Sequence, residues 1–289
     1  LGDKVQFGTR NLALGVGAVN VGTREALAAA SAAGVLPSGL TLNQTVLDRL
    51  LQGDSSTGAP ALESLILTAR DAVNFFGTVT LDTYDASGKS RIANLVFGTP
   101  AIYGAGGAGD IATIRTENLV WSGGSGPGAV ITGGAGTGSG SLVIDAERVS
   151  FGYGPKVQVS GVDAAARLAL GFASVNLNAS DRITANHRGS LAVYQSQGPY
   201  VPGEGYRYTG GDLNISTPLL TGEAGAFNSI TAGGAIRVTA PEGAKAGTVT
   251  GANGLGAELA LNGEAVSIAS AITLPSGRLT ITAAGDILL

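Results

Sequence analysis

The chain contains no cysteine, no methionine, one histidine and one tryptophan in 289 residues. Without cysteine there can be no disulfide, no thiolate metal site and no cysteine nucleophile. That absence leaves the compartment open, because disulfides are only one way to stabilise an extracellular chain. Charged residues make up 13% and aromatics 5%, against about 25% charged residues in an ordinary soluble domain. The net charge is -4, with no basic stripe, which disfavours nucleic acid as a partner and a polybasic membrane patch. No run of about 18 apolar residues occurs, which excludes a membrane-spanning helix. Methionine is missing even at position 1, where the chain opens on Leu1. We therefore read a stretch of a longer protein, with any signal peptide upstream.

What is present is 44% hydrophobic residues and 47 glycines. The apolar residues recur in a short phrase of alternating apolar positions followed by a small residue. It occurs at Leu65-Ile66-Leu67-Thr68-Ala69, Leu142-Val143-Ile144-Asp145-Ala146, Val175-Asn176-Leu177-Asn178-Ala179 and Leu191-Ala192-Val193. Further copies begin at Leu213, Ile236, Leu259 and Leu279, spaced 23, 23 and 20 residues apart. Period-2 alternation means strand. A repeat of about 20 residues carrying two or three strands means one coil of a solenoid. A single coil cannot bury its inward side chains, so coils stack about 4.8 Å apart and pair their backbones. Polar or small corners follow the strands: Arg70-Asp71, Glu147-Arg148, Asp181-Arg182, Gly263-Glu264 and Gly285-Asp286. The expected fold is all-β: a right-handed parallel β-helix, or β-solenoid, running as a single unit through residues 1–289, with a small helical insertion near the N-terminus. Roughly ten to twelve coils would give a rod of about 50 Å.

Three segments break the rhythm. Residues 24–54 read as a helical excursion lying on the solenoid. Thr23 caps a helix ended by Gly34, and Asn43 caps one ended by Gly53. In the second, Val46, Leu47, Leu50 and Leu51 form one apolar stripe. Residues 123–140 form a glycine-rich loop. Residues 195–211 form a loop in which Tyr200, Tyr206 and Tyr208 stand among prolines and glycines.

Few residues suggest chemistry. Gly104-Ala105-Gly106-Gly107-Ala108-Gly109 fits the GxGxxG fingerprint, but a phosphate site needs a helix after it, and Asp110-Ile111-Ala112-Thr113-Ile114 reads as a strand. The same glycines match the calcium-binding nonapeptide only once and out of spacing. His187 is the one residue available to a catalytic triad, without a nucleophile elbow, and reads as a solvent-facing side chain on a turn. No metal and no cofactor are expected. A glycosidase or lyase needs facing carboxylates; Asp145 and Glu147 at i, i+2, with Asp163 and Asp181 nearby, are the candidates. Most acids nevertheless fall at repeating corners. Trp121 alternates with Leu119 and reads as packed. The loop residues Tyr200, Tyr206, Arg207 and Tyr208 are the candidate ligand-binding set, by stacking on a sugar ring or on a partner protein. The plain alternative is that the loop packs its own tyrosines over the solenoid.

The stretches "LTARDAVNFFGTVTLDTYDASGKSRIANLVFGTPAIYGAGGAGDIATI", "GSGSLVIDAERVSFGYGP", "LALGFASVNLNASDRITANHRGSLAVYQSQG" and "GGDLNISTPLLTGEAGAFNSITAGGAIRVTAP" resemble the C-terminal region of filamentous-haemagglutinin-family proteins. The resemblance covers most of the chain from about Leu62 onward, in phrase and order. It implies a secreted exoprotein of the two-partner type, exported by an outer-membrane transporter and located extracellularly on the bacterial surface. Such proteins form long β-helical fibres for adhesion, aggregation or delivery of a toxic tip. The family's amino-terminal secretion domain is not in this stretch, so the export route rests on the resemblance alone. The family supplies no active-site residues to transfer. The expectation is therefore a structural and adhesive segment, not an enzyme. Its partners would be a glycan or protein on a host or neighbouring cell, and sibling chains. The alternatives are a self-assembling extracellular filament subunit and a carbohydrate-active β-helix enzyme.

Overall fold

The computed structural model describes residues 7–53, 58, 60–153, 164–245, 247, 249 and 255–289. Among the described residues, nine coils follow one another. The first is β1 (Asn11–Gly22), followed by α1 (Arg24–Ala32), β2 (Leu40–Leu42) and α2 (Gln44–Gln52). The second is β3 (Ser64–Phe76) with β4 (Val79–Asp82), and the third is β5 (Asn94–Gly98), β6 (Ala101–Gly104) and the first half of β7 (Ile111–Trp121). The rest of β7 and the start of β8 (Gly140–Phe151) make the fourth. The end of β8, β9 (Ala165–Leu170) and the start of β10 (Phe172–Ala185) make the fifth. The sixth is the end of β10, β11 (Arg188–Tyr194), a hairpin of β12 (Ser196–Val201) and β13 (Gly205–Thr209), and β14 (Asp212–Ser216). Then come β15 (Leu220–Gly222), β16 (Phe227–Ala232) and β17 (Ile236–Thr239); β18 (Glu258–Gly263) and β19 (Val266–Ala269); and β20 (Ile272–Thr273), β21 (Arg278–Ala283) and β22 (Ile287–Leu288).

Apart from the hairpin, the strands pair in parallel, most with the equivalent strand one coil on; β6 and β15 pair two coils on, with β9 and β20, and β2 pairs with β1 of its own coil. Three faces result, and the fold is a parallel β-helix. One apolar column on the first sheet reads Leu12, Leu65, Leu95, Leu119, Val149, Ile183, Leu220 and Ile272. Beside it Phe97, Trp121 and Phe151 stack in register, all buried. The third sheet contributes Leu81, Ile114, Ile144, Leu177, Ile215 and Val238. These columns are the inward positions of the period-2 pattern. Each is buried only because the coil above and below carries another apolar residue at the same place.

Coil length is uneven. Ser64 and Asn94 are 30 residues apart, Asn176 and Asn214 are 38 apart, and Asp212 and Ala235 are 23 apart. Longer coils account for nine coils where ten to twelve were expected, and for a rod nearer about 40 Å. The repeat spacing also misled in one place. Leu213 pairs with Ile236 on the third sheet, but Ile236 pairs with Val266, whereas Leu259 and Leu279 pair on the second sheet. The first sheet has no strand in that coil, since β15 pairs directly with β20. The phrase therefore changes sheet while its spacing stays nearly constant.

The excursions have definite places. Thr23 and Asn43 accept from Ala26 N and Val46 N, capping α1 and α2. α1 lies on the outer face of the second sheet, where Leu27 and Ala30 join Ala72, Phe76 and Tyr103 in a second apolar layer. α2 supplies Leu47, Leu50 and Leu51 to the main core. It stands over β4, where the third sheet has no strand in the first coil. There the Gln44 amide donates to Asp82 O and accepts from Asp82 N, as a neighbouring strand would. Between the helices β2 pairs with residues 19–21 of β1, a strand inside the segment read as a helical excursion; Asp54, the last residue of that segment, lies outside the described residues. The glycine-rich segment 123–140 has no strand before Gly140 and folds back over the second sheet, with Tyr103 Oη donating to Gly128 O.

Candidate functional site

The segment 195–211, read as a loop, is an antiparallel hairpin. Ser196 and Gln197 pair with Thr209 and Tyr208, and Tyr200 and Val201 with Tyr206 and Gly205. Alternation across only two residues of register was too short a signal to show it. The hairpin leaves the rod at Tyr194 and returns through Gly210 and Gly211, both at positive φ. At Gly211 a Cβ would come within 2.9 Å of Tyr194 Cα, so the return depends on glycine.

Four tyrosines run outward from this root. Tyr208 stacks on Tyr194 with ring centroids 4.8 Å apart. Tyr206 follows at 6.5 Å from Tyr208, and Tyr200 meets Tyr206 edge-on at 5.2 Å. The inner pair is partly covered, and burial raises both phenols above their ordinary pKa. The outer pair is 60% and 49% exposed for Tyr200 and Tyr206. Arg207 is not part of this row. It alternates to the other side of β13 and binds Glu204 at 2.7 Å. Of the four candidates, the structure brings together Tyr200, Tyr206 and Tyr208 and sends Arg207 elsewhere. Tyr194 was missed, although its outward place in Leu191-Ala192-Val193-Tyr194 was readable.

Each described candidate acid is already engaged by a neighbouring side chain. Asp145 accepts from Asn178 at 2.7 Å, while Glu147 pairs with Arg148 at 2.9 Å. The chain turns a corner between them, because register passes from Ala146 straight to Arg148. Asp181 takes both Arg148 and Arg182. Burial works to raise its carboxyl, but the two arginines outweigh that and hold it below the ordinary carboxylate range. Asp163 lies outside the described residues. Gly104–Gly109 closes a turn in which Gly107 N donates to Asp110, and a strand follows, so no helix N-terminus is offered. Trp121 is buried, its indole N–H donating to Thr99 O at 2.8 Å. No group of three or more histidine, aspartate or glutamate residues able to hold a metal exists among the described residues.

Two features had no signal beyond one charge in an apolar run. Arg167, 2% exposed, lies where the second sheet skips the fourth coil and β6 pairs directly with β9. Its guanidinium donates to the carbonyls of Trp121, Ser122, Ala165 and Ser190. Burial pushes its pKa down to about 10. Nearby, His187 is not the solvent-facing side chain expected: it is 16% exposed, with Nδ1 4.0 Å from Glu223 Oε2.

The outer face of the third sheet carries a mostly polar row. Thr80, Thr113, Val143, Asn176, Asn214 and Arg237 are in register, polar except at Val143. Asn214 donates to Asn176 at 2.9 Å, and Arg115 reaches Asp82 at 2.6 Å. These groups satisfy one another instead of converging on a shared point. No protein-family model, no curated protein and no solved structure matches the chain.

Proposed function

We propose that this chain is a structural and adhesive segment of a secreted bacterial surface fibre of the filamentous-haemagglutinin type. One observation carries the adhesive part. Tyr200 and Tyr206 are exposed on a hairpin projecting from the rod, while Tyr208 and Tyr194 anchor it from below. Exposed tyrosines held on a rigid root make contact area at little entropic cost. The scaffold part draws on the self-satisfied polar pairs of the third sheet. The partner is a glycan or protein on a host or neighbouring cell, and export uses an outer-membrane transporter, as the resemblance implies. The reading as a non-enzyme is supported by how Asp145 is taken by the Asn178 amide while Glu147 and Asp181 are both neutralised by Arg148, Asp181 by Arg182 as well.

The test is binding of beads coated with the chain to epithelial and bacterial cells. Beads are expected to attach, and Tyr200→Ala with Tyr206→Ala to reduce attachment several-fold without changing the circular dichroism. A wild-type chain that binds neither cell type overturns the adhesive reading. Turnover of a polysaccharide by the pure chain overturns the non-enzymatic one in favour of a carbohydrate-active enzyme.

A further inference from the structure

The only histidine of the chain stands at the corner between the first and second sheets. His187 follows β10, and Glu223 follows β15 at the same corner one coil on. Their side chains are each 16% exposed, 4.0 Å apart at Nδ1 and Oε2. The backbone around them is tightly engaged. Phe227 N donates to His187 O at 2.6 Å, Asn228 Nδ2 donates to the same oxygen, and Glu223 N donates to Ala185 O. His187 has φ 57, a left-handed conformation, and its Nε2 is buried without a partner.

The charged groups that face this pair, among the described residues, are few. From β9 comes Arg167, whose donors are spent on four carbonyls. From β11 comes Arg188, which lies over the Phe227 ring. The end of β8 offers only backbone, at Tyr153. No described basic side chain other than His187 is within ion-pair distance of Glu223.

We propose that this corner is a proton-operated latch on the stacking of β11 and β16, closed while the His187–Glu223 pair, 4.0 Å apart, holds one proton and loosened when Glu223 is left as a covered carboxylate beside an uncharged ring. With one proton the pair has no net charge, whether it is imidazole with carboxylic acid or imidazolium with carboxylate. Without it, a carboxylate is left in a largely covered corner beside an uncharged ring, and burying an unpaired charge is unfavourable. Burial alone raises Glu223 to about 7. For His187, burial and then the Arg167 charge lower the pKa, while a backbone bond at Tyr153 opposes them.

The signs separate the two groups. Glu223 has a folded pKa above its open-state value of about 4.3. Its stabilisation is present at low pH and is lost as pH rises through about 7. His187 is lowered, so it favours opening as pH falls below about 6.5, with the opposite sign. His187→Asn removes the second effect and keeps a residue that tolerates left-handed φ.

The experiment is amide exchange at Phe227, whose N–H bonds His187 O, with the intrinsic rate divided out. In H187N, opening is expected to rise on the order of tenfold from pH 5 to pH 7.5 and then level off, the roughly sixtyfold that a Glu223 shift from about 4.3 to about 7 gives over this range being discounted for partial exposure. In H187N with Glu223→Gln it is expected to be flat. A flat profile in H187N, or the same slope in both, overturns the latch. If the variants do not fold, wild-type NMR decides: the single histidine Hε1 signal is expected to sense a second titration near pH 7. One simple transition near 6.5 overturns the proposal.

Discussion

The Tyr208 ring lies flat on Tyr194, with centroids 4.8 Å apart and planes inclined by 18°. This contact joins the hairpin to the rod. An isolated two-stranded hairpin is marginal in water, so its order must come from the root. Tyr194→Ala removes the platform while leaving Tyr200 and Tyr206 intact. Limited proteolysis is expected to cut the variant between Ser196 and Thr209 at least several-fold faster than wild type, with the melting temperature of the rod nearly unchanged. Equal cleavage rates would show that the hairpin holds itself.

Arg167 mends a gap. In the fourth coil the chain leaves the first sheet after Trp121 without forming a second-sheet strand, and the guanidinium takes the carbonyls of Trp121 and Ser122. Arg167→Met should destabilise by about 2–4 kcal/mol, since each unpaired buried acceptor costs about 1–3 kcal/mol. Arg167→Lys should restore less than half, because an ammonium cannot fork among four carbonyls. Urea unfolding curves for the three proteins check this.

How far the fold was legible follows from what repeats. Val175 and Leu213 alternate with polar neighbours, and Leu65 and Leu142 stand in the same repeated phrase, which places all four inward on strands. The caps Thr23 and Asn43 were legible because capping is local chemistry. The count of coils was not, because nothing local to residues 123–139 says that they take the place of a second-sheet strand, so that β6 pairs past them with β9. The strand β2 was hidden for a related reason: Leu40-Thr41-Leu42 is three residues long, and only pairing with β1 makes it a strand. At the candidate site, aromatic composition pointed to Tyr200, Tyr206 and Tyr208, but residues adjacent in sequence face opposite ways on a strand, which separated Arg207 from them. Arg167 and Glu223 gain their environment from other coils, so no spacing within the chain marks them.

The aromatic column tests the core. Trp121 stacks in register between Phe97 and Phe151 and is 1% exposed. Trp121→Ala is expected to cost about 3–5 kcal/mol, the range for a large buried aromatic. Trp121→Phe should cost less, losing the indole bond to Thr99 O and some volume. Thermal melts of both variants check the order.

The β2 cap depends on close approach of two backbones. A Cβ on Gly39 would lie 1.9 Å from Ala18 O, and nothing flexible can yield there. Gly39→Ala must push β2 off β1, leaving residues 19–21 unpaired on that side. Exchange of the Leu40 and Leu42 amides is expected to become fast, while amides of β8 and β10 stay protected. Slow exchange at Leu40 would mean that the cap tolerates the shift.

Acid stability should depend on Asp181. Burial works to raise its carboxyl, and Arg182 and Arg148 lower it by more, leaving it below the ordinary value. A lowered carboxylate stabilises the fold above its unfolded pKa of about 3.9, and that contribution is lost as pH falls through the folded value. Asp181→Asn should therefore lower the melting temperature at pH 7 and leave it nearly unchanged at pH 2. The difference between the two curves should close below about pH 4, since in that range wild type also carries a neutral side chain at the corner. A constant difference from pH 7 to pH 2 would assign the effect to packing at the β10 corner and not to the charge.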